Sequence, residues 1–427
     1  MQPHTDRRYL LGLLTIILAF NFLDRIALGL VTQDIKTELH LSDTQLGFLG
    51  GVAFALFYAA MGIPIGRWAD RGNRVTIIGL STAIWSAAVA LCAIAGTFLQ
   101  LVLIRVVVGV GEAGCVPPAH SLIADFFTRA QRPRAVSIYM QGVSLSLIVG
   151  PFAAGWLNQL YGWRAMFAII GLPGVILALL TQFSLREPRR DYFPAALPTP
   201  LSHPDVKEVC VTLWDSATFR HVLSAFSVIC FFTYGRLQWM PAFFVRSFGL
   251  KTGELGTWFA AIYGIGGLVG TYCGGEWAAR RAANNERLQL KAMGVFTLLS
   301  GGCAACVYLP ALAPNYYWAL GWLALSNTLV VMINGPTFAV LQTLVPARMR
   351  AMSIALVFLF INLVGMGCGP WAAGALSDAL RPMTHDESLR YAMLFLCPAS
   401  LWGAWHLWRA ARTVARDVDA TLVESAG

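Results

Sequence analysis

Residues His40 to Arg71 read HLSDTQLGFLGGVAFALFYAAMGIPIGRWADR, and residues Gly249 to Arg280 read GLKTGELGTWFAAIYGIGGLVGTYCGGEWAAR. The two stretches align without a gap at an offset of 209. Leu41, Leu46, Gly47, Gly66, Trp68, Ala69 and Arg71 meet identical residues at Leu250, Leu255, Gly256, Gly275, Trp277, Ala278 and Arg280. Two further matches follow in the same order. Arg134-Ala-Val-Ser-Ile138 mirrors Arg350-Ala-Met-Ser-Ile354, and Gly150-Pro-Phe-Ala-Ala-Gly155 mirrors Gly369-Pro-Trp-Ala-Ala-Gly374. The chain reads as an internal duplication. Its copies are built from apolar stretches of about 20 residues, the length a helix needs to cross a bilayer.

Composition agrees. The 427 residues are 57% hydrophobic and 12% charged, whereas soluble chains carry about 25% charged residues. A soluble enzyme, a disordered protein and a nucleic-acid binder are excluded. Forty Gly and twenty Pro fit membrane helices, which tolerate both. Twelve spans are expected. The first six are Tyr9–Val31, Gln45–Trp68, Val75–Ala95, Phe98–Phe126, Ala135–Leu157 and Trp163–Leu185. The second six are Phe219–Val245, Gly253–Ala278, Leu288–Leu309, Tyr316–Leu341, Met352–Leu376 and Leu389–Trp408. The first span follows Arg7 and Arg8 as a signal peptide would. It is too long for one, contains Asn21, Asp24 and Arg25, and has no small-x-small cleavage site after it.

Arg186 to Thr218 is the longest polar stretch and carries five prolines, so it reads as a linker. Val206, Cys210 and Leu213 stand at helical spacing within it, as in a short helix lying on a membrane surface. The expected organisation is a six-helix half over 1–186, a cytoplasmic linker over 187–218, a six-helix half over 219–411 and a tail over 412–427. With the N-terminus inside, the cytoplasmic ends and loops hold 22 Lys and Arg, the outer loops 6 and the spans 3. Both termini are therefore expected in the cytoplasm. The net charge of +9 follows from this topology and needs no acidic partner. Six spans per half make the copies parallel repeats about an axis along the membrane normal. Transporters with a midplane site between halves are built this way. Eight of the nine Cys lie in apolar segments, all but Cys210, so no disulfide framework is expected. Cys303 and Cys306 lack a partnering His or second pair and read as packed thiols. Neither metal nor cofactor is expected.

Charges inside the spans locate the chemistry. The first span carries Asn21-Phe-Leu-Asp24-Arg25, and the fourth carries Arg105-Val-Val-Val-Gly109-Val-Gly111-Glu112. Arg105 and Glu112 are seven residues apart and share a helical face, about 10 Å apart. Each unpaired mid-membrane charge costs roughly 2.5–3.5 kcal/mol, and four cost on the order of 10 kcal/mol. Asp24 is therefore expected to pair with Arg105, and Arg25 with Glu112. A fixed staple of ion pairs is the plain alternative. A buried carboxylate also carries protons, because its charge state responds to burial and to neighbouring arginines. His120, two turns below Glu112, reads as packing rather than a relay. After the second span, Gly66-Arg67-Trp68-Ala69-Asp70-Arg71-Gly72-Asn73-Arg74 brings charges together at a tight turn, with Arg74 in reach of Asp125. Such a cluster can latch one conformation. The second copy has Ala279 in place of Asp70, so the latch is expected to be asymmetric.

These motifs resemble the major facilitator superfamily, whose second-to-third-span loop reads G-x-x-x-D-R-x-G-R and whose fourth helix reads R-x-x-x-G-x-G. Within it the chain is similar to the spinster-like branch, on Asn21-x-x-Asp24-Arg25, Gly-Val-Gly-Glu112-Ala, Asp125-Phe-Phe and the Gly66 to Arg74 loop. The resemblance implies an all-α twelve-helix transporter that alternates access and couples protons to an amphipathic, lysolipid-like or sphingolipid-like substrate. Hexuronate-type carriers of small organic anions share related motifs and remain the alternative. The gate would comprise Gly66, Asp70, Arg71, Arg74 and Asp125. The substrate cavity would be lined by Asn21, Arg236, Trp239, Gln141, Asn334 and Thr337. Gly142 and Gly150-Pro151 match a G-x7-G-P motif associated with antiporters, although a kinked helix alone explains them. Partners would be protons, a small-molecule substrate and the lipid bilayer, without nucleic acid. A monomer in the plasma membrane, the inner membrane if bacterial, is expected. Neither H-E-x-x-H, G-x-S-x-G nor a G-x-x-x-x-G-K-[ST] loop occurs, so neither an intramembrane enzyme nor a nucleotide-driven pump is expected.

Overall fold

The computed structural model describes residues 6–128, 131–188, 206–283, 285–345 and 349–426. Its first helices are α1 (Arg7–Leu39), α2 (Asp43–Gly50), α3 (Val52–Arg71), α4 (Arg74–Leu91), α5 (Phe98–Glu112), α6 (Val116–Phe126) and α7 (Arg132–Ser184). There follow α8 (Val206–Asp215), α9 (Ala217–Phe248), α10 (Thr252–Phe259), α11 (Gly266–Arg281), α12 (Glu286–Tyr308) and α13 (Tyr316–Val331). The last are α14 (Asn334–Thr343), α15 (Arg350–Phe360), α16 (Gly369–Thr384), α17 (Ser388–Leu396) and α18 (Ala399–Ala426). No strand occurs among the described residues.

The starts and breaks follow from local chemistry. Asp6, Ser42, Asn73, Thr97, Asn285 and Asn315 each cap a helix by accepting a backbone N–H in its first turn. Ser42 and Gln45 close a reciprocal capping box. The fourth apolar span breaks after Glu112, because Pro117 and Pro118 donate no N–H to the carbonyls four residues back. Pro336 breaks the tenth in the same way, between α13 and α14. α7 turns at Gly162, whose φ of 80° lies in the left-handed region. π-helical turns at Ala260–Ile265 and Ile361–Cys368 interrupt two further spans.

Nine stretches among the described residues are long and apolar enough to cross a membrane, and two of these run for 51 and 64 residues. The described residues within Met1–Leu197, with Leu237–Gly264, form one compact unit. Those within Pro198–Arg236, with Ile265–Gly427, form a second. In the first unit α1, α4 and α10 pack along α7, and α3 packs on α5. Small residues permit the approach: a Cβ on Gly142 of α7 would stand 2.5 Å from the Thr15 carbonyl oxygen of α1. In the second unit α12 packs between α13 and α18. The short helix α8 buries Val209 and Leu213 against Phe219 and Val222 of α9. Its buried side is thus one residue round from the expected face. Cys210 is exposed, and the Val206 side chain lies outside the described residues.

Candidate functional site

Four charged side chains converge inside the first unit. Arg105 Nη1 on α5 donates to Asp24 Oδ2 on α1 at 2.7 Å, and both residues are buried. Arg25, one residue along α1, donates through Nε to Glu112 Oε2 at 2.8 Å and pairs with it again through Nη2. Glu112 ends α5, so the helix carbonyls place partial negative charge beside its carboxyl. Asn21 is fully buried one turn before Arg25, and its Oδ1 accepts from Arg25 Nη2 at 3.5 Å.

Aromatic rings enclose the cations. The Arg25 guanidinium lies 4.7 Å from the Phe22 ring, 4.5 Å from Phe54 and 4.9 Å from Tyr58. Phe54 also faces Arg105 at 5.2 Å. Its position depends on the glycines of the fourth span. A Cβ on Gly109 would stand 2.8 Å from the Phe54 carbonyl oxygen, and one on Gly111 would stand 2.8 Å from Trp85 Cβ of α4. The two glycines therefore admit α3 and α4 on opposite sides of α5. His120 packs edge-on against Tyr139, with centroids 5.3 Å apart.

A second cluster lies where α3 turns into α4. Gly72 ends α3, and its N–H donates to the Trp68 carbonyl at 2.7 Å. Arg74 is fully buried and meets Asp125 Oδ2 at 2.6 Å and Ser121 Oγ at 2.9 Å. Glu187, just past the end of α7, takes the rest of the guanidinium and accepts from the Arg74 backbone N–H at 2.6 Å. Sequence reasoning missed Glu187. Its only signal was an acid two residues past an apolar span, next to a proline. Arg71 is exposed, Gly66 has open space where a Cβ would be, and the Asp70 side chain lies outside the described residues.

The opposite end of α1 carries a third cluster, also missed. His40 adopts a left-handed conformation, φ 52° and ψ 40°, and turns the chain into α2. That turn sets Asp43 against Lys36. Arg246 near the end of α9 donates to both Asp43 oxygens at 2.8 Å each, and its Nε donates to Gln33 Oε1 at 2.6 Å. Nearby, Asn158 donates to Asp34 at 2.6 Å and to Thr252 Oγ1 at 3.1 Å. The Trp239 ring lies under Arg246 at 5.7 Å.

In the second unit Arg236 is buried and donates through Nη1 to Ser326 Oγ at 2.6 Å, with the Phe232 ring 5.2 Å away. Ser326 and Ser300 bind each other's backbone carbonyls at 2.8 and 2.9 Å. Thr337 is buried and bonded to the Ile333 carbonyl at 2.6 Å. Gln141 and Asn334 are exposed.

The family model described as Major Facilitator Superfamily matches residues 14–370. The chain belongs to the Major Facilitator Superfamily. A curated relative, an MFS-type efflux pump of Mycolicibacterium smegmatis, is 30% identical over 95% of this chain and 93% of its own. Protein spinster homolog 1 of Xenopus tropicalis is 24% identical over 93% of this chain and 79% of its own. Among solved structures, a bacterial homolog of the human lysosomal transporter Spinster, inward-facing and unoccupied, matches with a TM-score of 0.86 at 28% identity. The match covers 98% of this chain and 99% of that one. The protein is a spinster-like major facilitator transporter with the alternating-access fold, an integral multi-pass membrane protein and not an enzyme. As transporters of this superfamily do, it carries a small-molecule substrate.

Proposed function

We propose that this transporter is a proton-coupled carrier of an amphipathic, lysolipid-like or sphingolipid-like molecule. The observation that carries the reading is the Asp24, Arg25, Arg105 and Glu112 cluster, placed inside spans that otherwise exclude charge. Charges there are costly and belong to ion or substrate paths. Ion pairs of this kind exchange partners when a carboxyl takes up a proton, which links protonation to the arrangement of α1 and α5. Arg236 favours an anionic head group: its guanidinium meets a neutral serine and an aromatic ring, and its fork suits phosphate and carboxylate oxygens. The same observation supports small organic anions such as hexuronates or aromatic acids as the second reading.

The chain crosses the membrane twelve times in this reading. The stretches of 51 and 64 residues each cross twice, and α10 with α11 form one further span. Residues 1–186 and 219–411 are the duplicated halves, 187–218 the linker and 412–427 the tail. Both termini are cytoplasmic, as the Lys and Arg distribution requires. The protein works as a monomer in the plasma membrane, the inner membrane in a bacterium. Gly66, Asp70, Arg71, Arg74 and Asp125, joined by Glu187, form the cytoplasmic gate. Asn21, Gln141, Trp239, Arg236, Asn334 and Thr337 line the substrate path. The test is uptake into proteoliposomes of lysolipids against small carboxylates. Glu112→Gln should abolish accumulation driven by a pH gradient and retain counterflow. Accumulation by the Gln variant under a pH gradient removes Glu112 from the coupling.

A further inference from the structure

In the twelve-span reading the seventh span begins and the twelfth ends at the same membrane face, and within the second unit these two ends are tied together. His221 of α9 and His406 of α18 bond Nδ1 to Nδ1 at 2.9 Å. The Trp405 ring of α18 packs edge-on against both imidazoles, with centroids 6.0 and 4.7 Å away. The Arg409 guanidinium lies 5.8 Å from the same ring. Arg220, next to His221, donates through Nη1 to the Trp214 carbonyl near the end of α8 at 2.6 Å. The imidazole bond therefore fixes the spacing of two helices that each carry an arginine at this seam.

The seam is turned outward. Trp214, Trp402 and Trp405 are 60%, 59% and 49% exposed, and Arg220, Arg409 and Arg412 are exposed as well. Trp402, Trp405, Arg409 and Arg412 follow one another at steps of three and four residues, so they share one face of α18. Aromatic rings followed by cations along a helix face are what the boundary between hydrocarbon and head groups selects. Among the described residues, neither Arg220 nor Arg409 meets a carboxylate. Asp417, farther along α18, is taken by Ser216 Oγ at 2.9 Å, by the Thr218 N–H at 2.8 Å and by Arg416. Asp215, exposed at the end of α8, leaves one acid against three arginines.

We propose that this seam binds one anionic phospholipid of the surrounding leaflet. Its phosphate is held by the Arg220 and Arg409 guanidiniums, and its acyl chains lie on Trp402 and Trp405. Basic pockets between helix ends select acidic head groups, and each guanidinium fork can take two phosphate oxygens. The site is separate from the substrate path. Arg236 is buried 15 residues farther along α9 than His221, about 22 Å at 1.5 Å per residue. The lipid bridges α9 and α18 where the imidazole pair already joins them. The site rests on the twelve-span topology, and neither proton coupling nor the identity of the substrate enters it.

Native mass spectrometry of the full chain in detergent tests this, with phosphatidylglycerol, phosphatidylcholine and inorganic phosphate as probes. The wild type should retain one phosphatidylglycerol about 25-fold more tightly than phosphatidylcholine, about fivefold from each arginine. Inorganic phosphate, which lacks acyl chains, should not displace it. Arg409→Gln should lose about fivefold of the preference, and Arg220→Gln combined with Arg409→Gln should lose all of it. Arg409→Lys keeps the charge and should keep most of the preference. Arg236→Gln should leave it unchanged, which separates this surface from the substrate path. A double variant that melts with the wild type in the absence of lipid shows that binding is lost and not fold. Equal retention of the two lipids by the wild type, an undiminished preference in Arg409→Gln, or its loss in Arg236→Gln overturns the site. Displacement by inorganic phosphate overturns the lipid as its occupant. Binding in detergent does not depend on how the chain is inserted, so each of these failures leaves the topology standing.

Discussion

Asp43→Asn isolates the cluster at the far end of α1. In the wild type one carboxylate serves two cations, Lys36 and Arg246, and its side chain is 2% exposed against 14% and 13% for theirs. The asparagine keeps the shape and removes the anion. Lys36 and Arg246 then face each other as like charges, and both bonds from the Arg246 fork lose their charged acceptor. Breaking a buried pair costs about 3–5 kcal/mol. The partial exposure of the cations places this case near 3 kcal/mol, about 150-fold in an equilibrium constant. Because Arg246 ends α9 while Lys36 and Asp43 flank the α1–α2 turn, the loss should release the end of α9. The assay is maleimide labelling of Thr32→Cys in a background free of the native cysteines. Thr32 is buried and accepts from Gln238 of α9 at 3.2 Å, so labelling should accelerate by roughly two orders of magnitude. The midpoint of thermal unfolding should fall, and Arg246→Gln added to Asp43→Asn should restore part of it by removing one unpaired cation. Unchanged labelling and unchanged melting in Asp43→Asn would refute the argument.

Two other outcomes follow from the geometry. Gly109→Ala should destabilise by about 1–3 kcal/mol and weaken transport, since the added Cβ stands 2.8 Å from the Phe54 carbonyl and displaces the ring against Arg25 and Arg105; a melting temperature equal to wild type would contradict this. Arg236→Lys should raise KM for an anionic substrate roughly tenfold or more while sparing neutral analogues, because the charge stays and the fork goes. Equal KM values for both proteins would remove Arg236 from head-group recognition.

Much of the architecture was legible because the bilayer is a severe solvent. Only helices satisfy the backbone in hydrocarbon, so apolar stretches of sufficient length announce themselves, and gapless repeats such as Leu41 to Arg71 against Leu250 to Arg280 reveal the duplication. The cost of isolated charge likewise singled out Asp24, Arg25, Arg105 and Glu112 and required that they find partners. These are all consequences of local composition, periodicity or spacing.

Some partners across long separations were not legible. Arg74 meets Glu187, 113 residues later, and Arg246 meets Asp43, 203 residues earlier. In the sequence Asp43 is one polar residue in a turn and Glu187 one acid in a linker, with no periodic signal to raise either above its neighbours. Only packing of α1 and α4 along α7, and of the end of α9 beside α1, brings these groups within hydrogen-bond distance. The close approaches at Gly109 and Gly142 are of the same kind. A glycine in an apolar run is equally compatible with a kink, a cavity or a helix contact, and it takes the neighbouring backbone, at 2.8 and 2.5 Å from an added Cβ, to decide among them. Sequence fixes which groups must be satisfied, because burial cost depends on the group alone; tertiary structure decides what satisfies them, because that depends on which distant backbone arrives beside it.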